Sequence, residues 1–251
     1  MRFFQDSFII FRRQMRINLR NPAWVLIGVM QPVLYLVLFA PLLEPMTAQF
    51  GAVNAYTFFV PGLLVQLGLF GALFAGFGLI AEWREGVIEA ERVTPANRTA
   101  LLFGRLMRDV LQIFVQALIL VGLGYAFGMD APILGVVLGI LITLLTGAAA
   151  AGASNALALT AKSENVMAPL TNMLMMPVLL LSGILLPMTI GPDWLQRVSD
   201  FMPTRYIVDG VRGAFGGTAF DSTTLWALLW AAAMFIAGIA WGTHVFRKEN
   251  A

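Results

Sequence analysis

Cysteine is absent from the 251 residues, lysine occurs only at positions 162 and 248, and His244 is the single histidine. Disulfides and thiolate metal sites are therefore excluded, and cysteine usage says nothing about redox compartment. Neither lysine follows a glycine-rich loop, so the Walker A pattern GxxxxGK with Ser or Thr has no match. No HExxH pair and no nucleophile elbow occurs either. Gly76-Phe77-Gly78 lies inside an apolar run and reads as helix packing, and His244 reads as an interfacial residue at the end of another. Charge is scarce: 12% of the chain is Asp, Glu, Lys or Arg, where a soluble domain carries roughly a quarter. An enzyme working alone is improbable on these grounds. Charged residues are missing from the depths of the apolar runs, and no obvious inverted repeat is visible. Both absences count against an ion-coupled carrier with a carboxylate relay.

What is abundant is hydrophobic sequence, 59% of the total, in runs long enough to cross a bilayer. We expect an all-α integral membrane protein with spans at about 24–43, 57–80, 104–127, 133–158, 166–187 and 224–245. Residues 2–20 precede them as an amphipathic helix. Phe4, Phe8, Phe11, Met15 and Leu19 share one face, and Arg12, Arg13, Arg16 and Arg20 fill the next sector, as in a helix lying at lipid headgroups. A signal peptide fits poorly, because the basic cluster follows the apolar residues and no small-residue cleavage site appears. Thirteen of the sixteen basic residues fall at 2–20, 81–108, Lys162 and the C-terminus; the other side holds Arg197, Arg205 and Arg212. That division places both termini and the 81–100 segment in the cytoplasm. It also assigns the net charge of +2 to membrane orientation and not to nucleic-acid binding.

Residues 81–100, AEWREGVIEAERVTPANRTA, are the most charged stretch. As one helix they put Glu82, Glu85, Glu89 and Arg92 on one stripe and Trp83, Val87 and Ala90 on another, with Thr94-Pro95 ending it. A solvated carboxylate face suits these glutamates better than acid–base catalysis, and the segment reads as a docking surface facing the aqueous phase. Within the spans, Gly68, Ala72 and Gly76 and the run 147–154 are small-residue stripes, open to packing within one subunit or to a dimer or substrate interface. Arg105, Asp109, Gln112 and Gln116 share a face of span three. Gln66, Asn155 and Asn172 lie in spans two, four and five. The glutamines and asparagines are candidates for lining a route, and Arg105–Asp109 reads equally as an ordinary i, i+4 pair. Residues 187–223 are too long for a turn. With nearly balanced charges they either return toward the membrane or cap its outer face.

Two stretches, REGVIEAERVTPANRTALLFGRL at 84–106 and SGILLPMTIGPDWLQRVSDFMPTRYIVDGVR at 182–212, resemble the permeases of ABC-2 type exporters, and within them the daunorubicin-exporter kind. The likeness covers nearly the whole chain. The first carries Gly86-Val87-Ile88-Glu89 where the family shows a Gly-Thr-Leu-Glu-like run, then Ala90-Glu91 where a more apolar and basic pair is common. The second matches through Gly183, Pro187, Trp194, Pro203, Tyr206 and Arg212. The resemblance implies a coupling helix at 81–96 seated on a separate ATP-binding subunit, through Glu82, Arg84, Glu85, Gly86, Glu89 and Arg92. It implies a second contact at 161–165 through Lys162 and Glu164, and short re-entrant helices at 188–220. It further implies two permease subunits, identical or not, with two ATPase subunits that carry the ATP and Mg, and no cofactor on this chain itself. The expected setting is the bacterial plasma membrane, and the expected cargo an amphipathic drug or lipid-like molecule. Alternatives are a polysaccharide or glycolipid permease, a carrier needing no ATPase, and a membrane scaffold.

Overall fold

A computed structural model describes residues 2–20, 23–45, 54–94 and 97–249. These form α1 (Arg2–Arg20), α2 (Ala23–Leu43), α3 (Ala55–Leu73), α4 (Ala75–Arg84), α5 (Val87–Arg92), α6 (Arg98–Ala126), α7 (Ile133–Ala161), α8 (Glu164–Leu181), α9 (Asp193–Asp200), α10 (Pro203–Phe215) and α11 (Ser222–Glu249), with a 3₁₀ turn at Met188–Ile190. No strand occurs among the described residues. Among the described residues six stretches are long and apolar enough to cross a membrane: Leu26–Leu43, Ala55–Arg84, Thr99–Ala126, Ile133–Ala161, Glu164–Leu181 and Ser222–Lys248. The bundle has a basic end, where α1, α5, the start of α6, the α7–α8 turn and the end of α11 gather. The opposite end holds α9 and α10.

The core is α7, packed between α3, α11 and α10. Small residues bring the backbones together. A Cβ on Gly68 would lie 2.7 Å from the Thr143 carbonyl oxygen, and one on Gly238 would lie 2.4 Å from that of Ala149. A Cβ on Gly147 would lie 3.2 Å from the Gly68 carbonyl oxygen and one on Gly76 2.5 Å from that of Ser154, so the stripes at 68–76 and 147–154 pack on each other inside one subunit, which is one of the two readings open to them. Around this core, α2, α8 and α11 expose large apolar side chains such as Leu42, Met173 and Ile236, as lipid-facing helices do.

The second span is not one continuous helix. It breaks at Phe74, leaving the Leu73 carbonyl and the Gly76 N–H outside the helical ladder. The Ser154 hydroxyl of α7 fills both vacancies, accepting from Gly76 N (3.0 Å) and donating to the Leu73 oxygen (2.5 Å). Buried backbone groups in an apolar bundle need such partners. The fifth span also departs from expectation. It ends at Leu181, six residues before 187, where the Ser182 hydroxyl takes the Val178 carbonyl and Gly183 turns left-handed at φ 72°. The third span starts earlier than 104, because Asn97 caps the helix by accepting from Thr99 N at 3.0 Å.

Candidate functional site

The basic end holds a buried charge network built from four helices. Arg105 of α6 is only 1% exposed. Its Nε and Nη2 donate to Glu82 Oε2 of α4 (3.1 and 2.6 Å), and Nη2 also donates to Glu91 Oε2 of α5 (2.8 Å). Arg13 of α1 donates to the other Glu91 oxygen at 3.1 Å, and Gln14 of α1 donates to Glu82 Oε1 at 2.5 Å. Arg108 donates to the Gln14 amide oxygen at 2.9 Å. The Phe246 ring of α11 lies 6.0 Å from the Arg105 guanidinium. A buried guanidinium is tolerable only with such full pairing, since two carboxylates offset the loss of hydration. The i, i+4 pairing of Arg105 with Asp109 does not form. Asp109 instead accepts from Nε and Nη2 of its neighbour Arg108 (2.9 and 2.6 Å), which leaves Arg105 to reach across to α4 and α5.

The single helix expected over 81–96 is two pieces. α4 ends at Arg84, Gly86 adopts a left-handed φ of 76°, and α5 runs only from Val87 to Arg92. A residue with a side chain is strained in that conformation, so glycine sets the kink. The kink undoes the common stripe. Glu82 and Glu91 turn inward to Arg105, whereas Arg84, Glu85, Gly86, Glu89 and Ala90 face solvent. Glu91, where the chain departs from the family's usual pair, is thus absorbed internally and lies off the exposed surface. The Arg92 side chain and residues 95–96 lie outside the described residues.

The two segments singled out as contacts, 81–96 and 161–165, are brought together. Arg84 Nη2 reaches Glu164 Oε1 at 3.1 Å. Lys162 ends α7 in a left-handed conformation (φ 49°), a sharp corner that starts α8 two residues later. Sequence reasoning missed Arg13, Gln14, Glu91 and Arg108 as members of the network. The departure at Glu91 was the one local sign of it.

The polar span residues do not converge. Gln112 accepts from Asn18 of α1 at 3.3 Å, at the basic end. Gln116 is buried, its amide against α2, where a Cβ on Gly28 would come within 2.4 Å. Gln66 is buried in α3 with neither amide atom hydrogen-bonded, and Asn155 of α7 has an unpaired Nδ2. Asn172 is exposed on α8.

At the opposite end, α10 is folded into the bundle, with Ile207, Val208, Val211 and Phe215 fully buried against α7, α3 and α11. Pro203 opens it at a position where no N–H is needed. Arg212 fastens it. Its guanidinium stacks 4.1 Å over Phe58 of α3 and donates to the Ile184 carbonyl at 2.9 Å, just after the Gly183 turn. Burial pulls this group down to about 10, so it keeps its charge at neutral pH. Burial likewise pushes the Asp209 carboxyl up, against the opposing pull of Arg212 and Arg205. Arg205 ties α10 to α9 through Asp200 and Ser199, and the Tyr206 hydroxyl donates to the Asp200 carbonyl at 3.0 Å. Pro187 sits before the 3₁₀ turn that leads into α9.

Residues 5–216 match the family described as ABC-2 type transporter. The transport permease ycf38 of Cyanophora paradoxa is 28% identical over 216 residues, 84% of this chain and 74% of the relative. The daunorubicin resistance ABC transporter permease protein DrrB1 of Streptomyces coeruleorubidus is 27% identical over 194 residues, 76% of this chain and 68% of that one. The ycf38 permease of Porphyra purpurea is 26% identical over 209 residues, covering 81% and 72%. With six apolar helices in an all-helical bundle and a family match across most of its length, this chain is a multi-pass membrane protein of the ABC-2 type transporter family.

Proposed function

We propose that this chain is the permease subunit of an ATP-driven exporter. A separate ATP-binding subunit docks on the surface made by residues 84–90 and 162–164, and a second permease subunit completes the transport unit. The observation that carries this reading is the Arg84–Glu164 bridge beside exposed Glu85 and Glu89, on a segment rooted in the Arg105 network. A force applied at that surface reaches α1, α4, α5 and α6 together, because the buried network joins all four. The positions of the basic residues support a cytoplasmic location for this end and for both termini, in a bacterial plasma membrane. ATP and Mg belong to the partner, since the chain carries no phosphate-binding loop.

The cargo that fits best is an amphipathic drug or lipid-like molecule, supported by the likeness to the daunorubicin resistance permease and by the apolar span surfaces. Switching of the two permease halves between discrete arrangements moves it outward. The test is purification of the chain from its host membrane, followed by ATPase and transport assays in liposomes. The wild type retains an ATP-binding subunit whose activity rises with amphipathic drugs. The Glu85→Lys, Glu89→Lys double variant loses the subunit or hydrolyses ATP without transport. Normal coupled transport by that variant would sink the docking assignment.

A further inference from the structure

Helix α1 is covered on one side only. Ser7, Ile10 and Gln14 are buried, and on α6 a Cβ at Gly104 would come within 2.6 Å of the Ile10 side chain. The opposite side carries Phe8, Ile9, Arg12, Arg13 and Arg16, which line one open concavity of about 390 Å³. Arg12 and Arg16 have neither an ion pair nor a hydrogen bond among the described residues, and Arg13 gives only Nη1 to Glu91. Among the described residues no carboxylate lines the concavity. Arg12 and Arg16 are one helical turn apart, with about 6 Å of rise between them. Three arginine side chains thus line one volume, with a single carboxylate from outside it taken by Arg13, while Phe8 and Ile9 stand 57% and 63% exposed at its edge.

The chemistry required of an occupant is specific. It must bring negative charge to the arginines and apolar length to Phe8 and Ile9. A soluble anion meets only the first demand, and a zwitterionic lipid meets the first poorly. We infer that this face of α1 binds the headgroup of one anionic phospholipid, with the phosphate held by Arg12 and Arg16, Arg13 at its side, and the acyl chains leaving past Phe8 and Ile9. This site is separate from the docking surface proposed above and stands whether or not an ATPase binds there.

The test is native mass spectrometry of the full chain in detergent, titrated with phosphatidylglycerol or phosphatidylcholine. The wild type retains one phosphatidylglycerol and no phosphatidylcholine. Each arginine near an anionic headgroup contributes about fivefold in affinity, so Arg12→Gln with Arg16→Gln weakens retention about 25-fold. Arg247→Gln with Lys248→Gln removes the same charge from the end of α11 and leaves retention within about twofold. Circular dichroism checks folding. If the double variant does not fold, the single variants carry the test, each expected to lose about fivefold. Equal losses from both double variants would show diffuse surface charge and overturn the site. Retention of phosphatidylcholine would do the same, as would displacement of the lipid by inorganic phosphate at matching concentration, which would mark a free-anion site.

Discussion

Replacing Arg105 with methionine removes a guanidinium at the centre of the basic end while keeping much of its packing volume. In the wild type this group makes three charge-assisted hydrogen bonds, two to Glu82 and one to Glu91, at 3.1, 2.6 and 2.8 Å. Its side chain is 2% exposed, against 16% and 9% for the two carboxylates. The variant leaves Glu82 with Gln14 and Arg108 nearby, and Glu91 with only Arg13, whose side chain is 42% exposed. Breaking a buried pair by removing one partner costs about 3–5 kcal/mol, mostly from the charge left behind. For a chain of this size that corresponds to a fall of about 10 °C in the unfolding midpoint in detergent. The discriminating triple variant adds Glu82→Gln and Glu91→Gln to Arg105→Met, which removes the stranded charges, and it should recover more than half of the loss. The assay is thermal unfolding followed by near-ultraviolet circular dichroism. A single variant that melts with the wild type, or a triple variant no better than the single, would show that the network is not the joint between α1, α4, α5 and α6.

Four further outcomes can be checked on the same footing. Ser154→Ala strands the Gly76 N–H and the Leu73 carbonyl in the bundle, which should lower stability by about 2–4 kcal/mol and speed hydrogen exchange around residues 73–77. Gly238→Ala drives a methyl within 2.4 Å of the Ala149 backbone oxygen; the helices have to part, and about 1–3 kcal/mol is lost in thermal melts. A Cβ at Gly86 meets nothing within 4 Å, so Gly86→Val should cost about 1–2 kcal/mol through backbone strain alone, with Gly86→Asn milder in the same melts. Arg212→Lys keeps the charge but loses the stack on Phe58 and the directed bond to the Ile184 carbonyl; about 1–2 kcal/mol of loosening should appear as faster amide exchange confined to α10.

The six apolar helices were legible because length and hydropathy are local properties, and so were the small-residue stripes that now pack Gly68 against Gly147. The charge network was not. Local periodicity compares a residue with neighbours three or four positions away, and it offered Arg105 to Asp109. The true partners lie 23 and 14 residues upstream, and Arg13 meets Glu91 from 78 residues away. Nothing local distinguishes Glu82, turned inward, from Glu85, turned out, until the left-handed Gly86 fixes the direction of the chain. The same limit explains Gln112. Its spacing suited a span-lining residue, but its partner is Asn18 on a helix that composition places outside the spans.

The break at Phe74 bears on how the chain is inserted as it is made. The two backbone groups it exposes find their partner only in Ser154, whose sequence separation from them is about 80 residues. Within lipid an unpaired amide and carbonyl cost several kcal/mol each, and a regular helix would pair both. When span two enters the membrane, span four is still unsynthesised. An uninterrupted helix across 73–76 is the cheaper state at that moment, and the interruption becomes favourable only when α7 arrives. On this account the newly inserted span is continuous and the mature one is interrupted, so the break between α3 and α4 depends on a helix translated later.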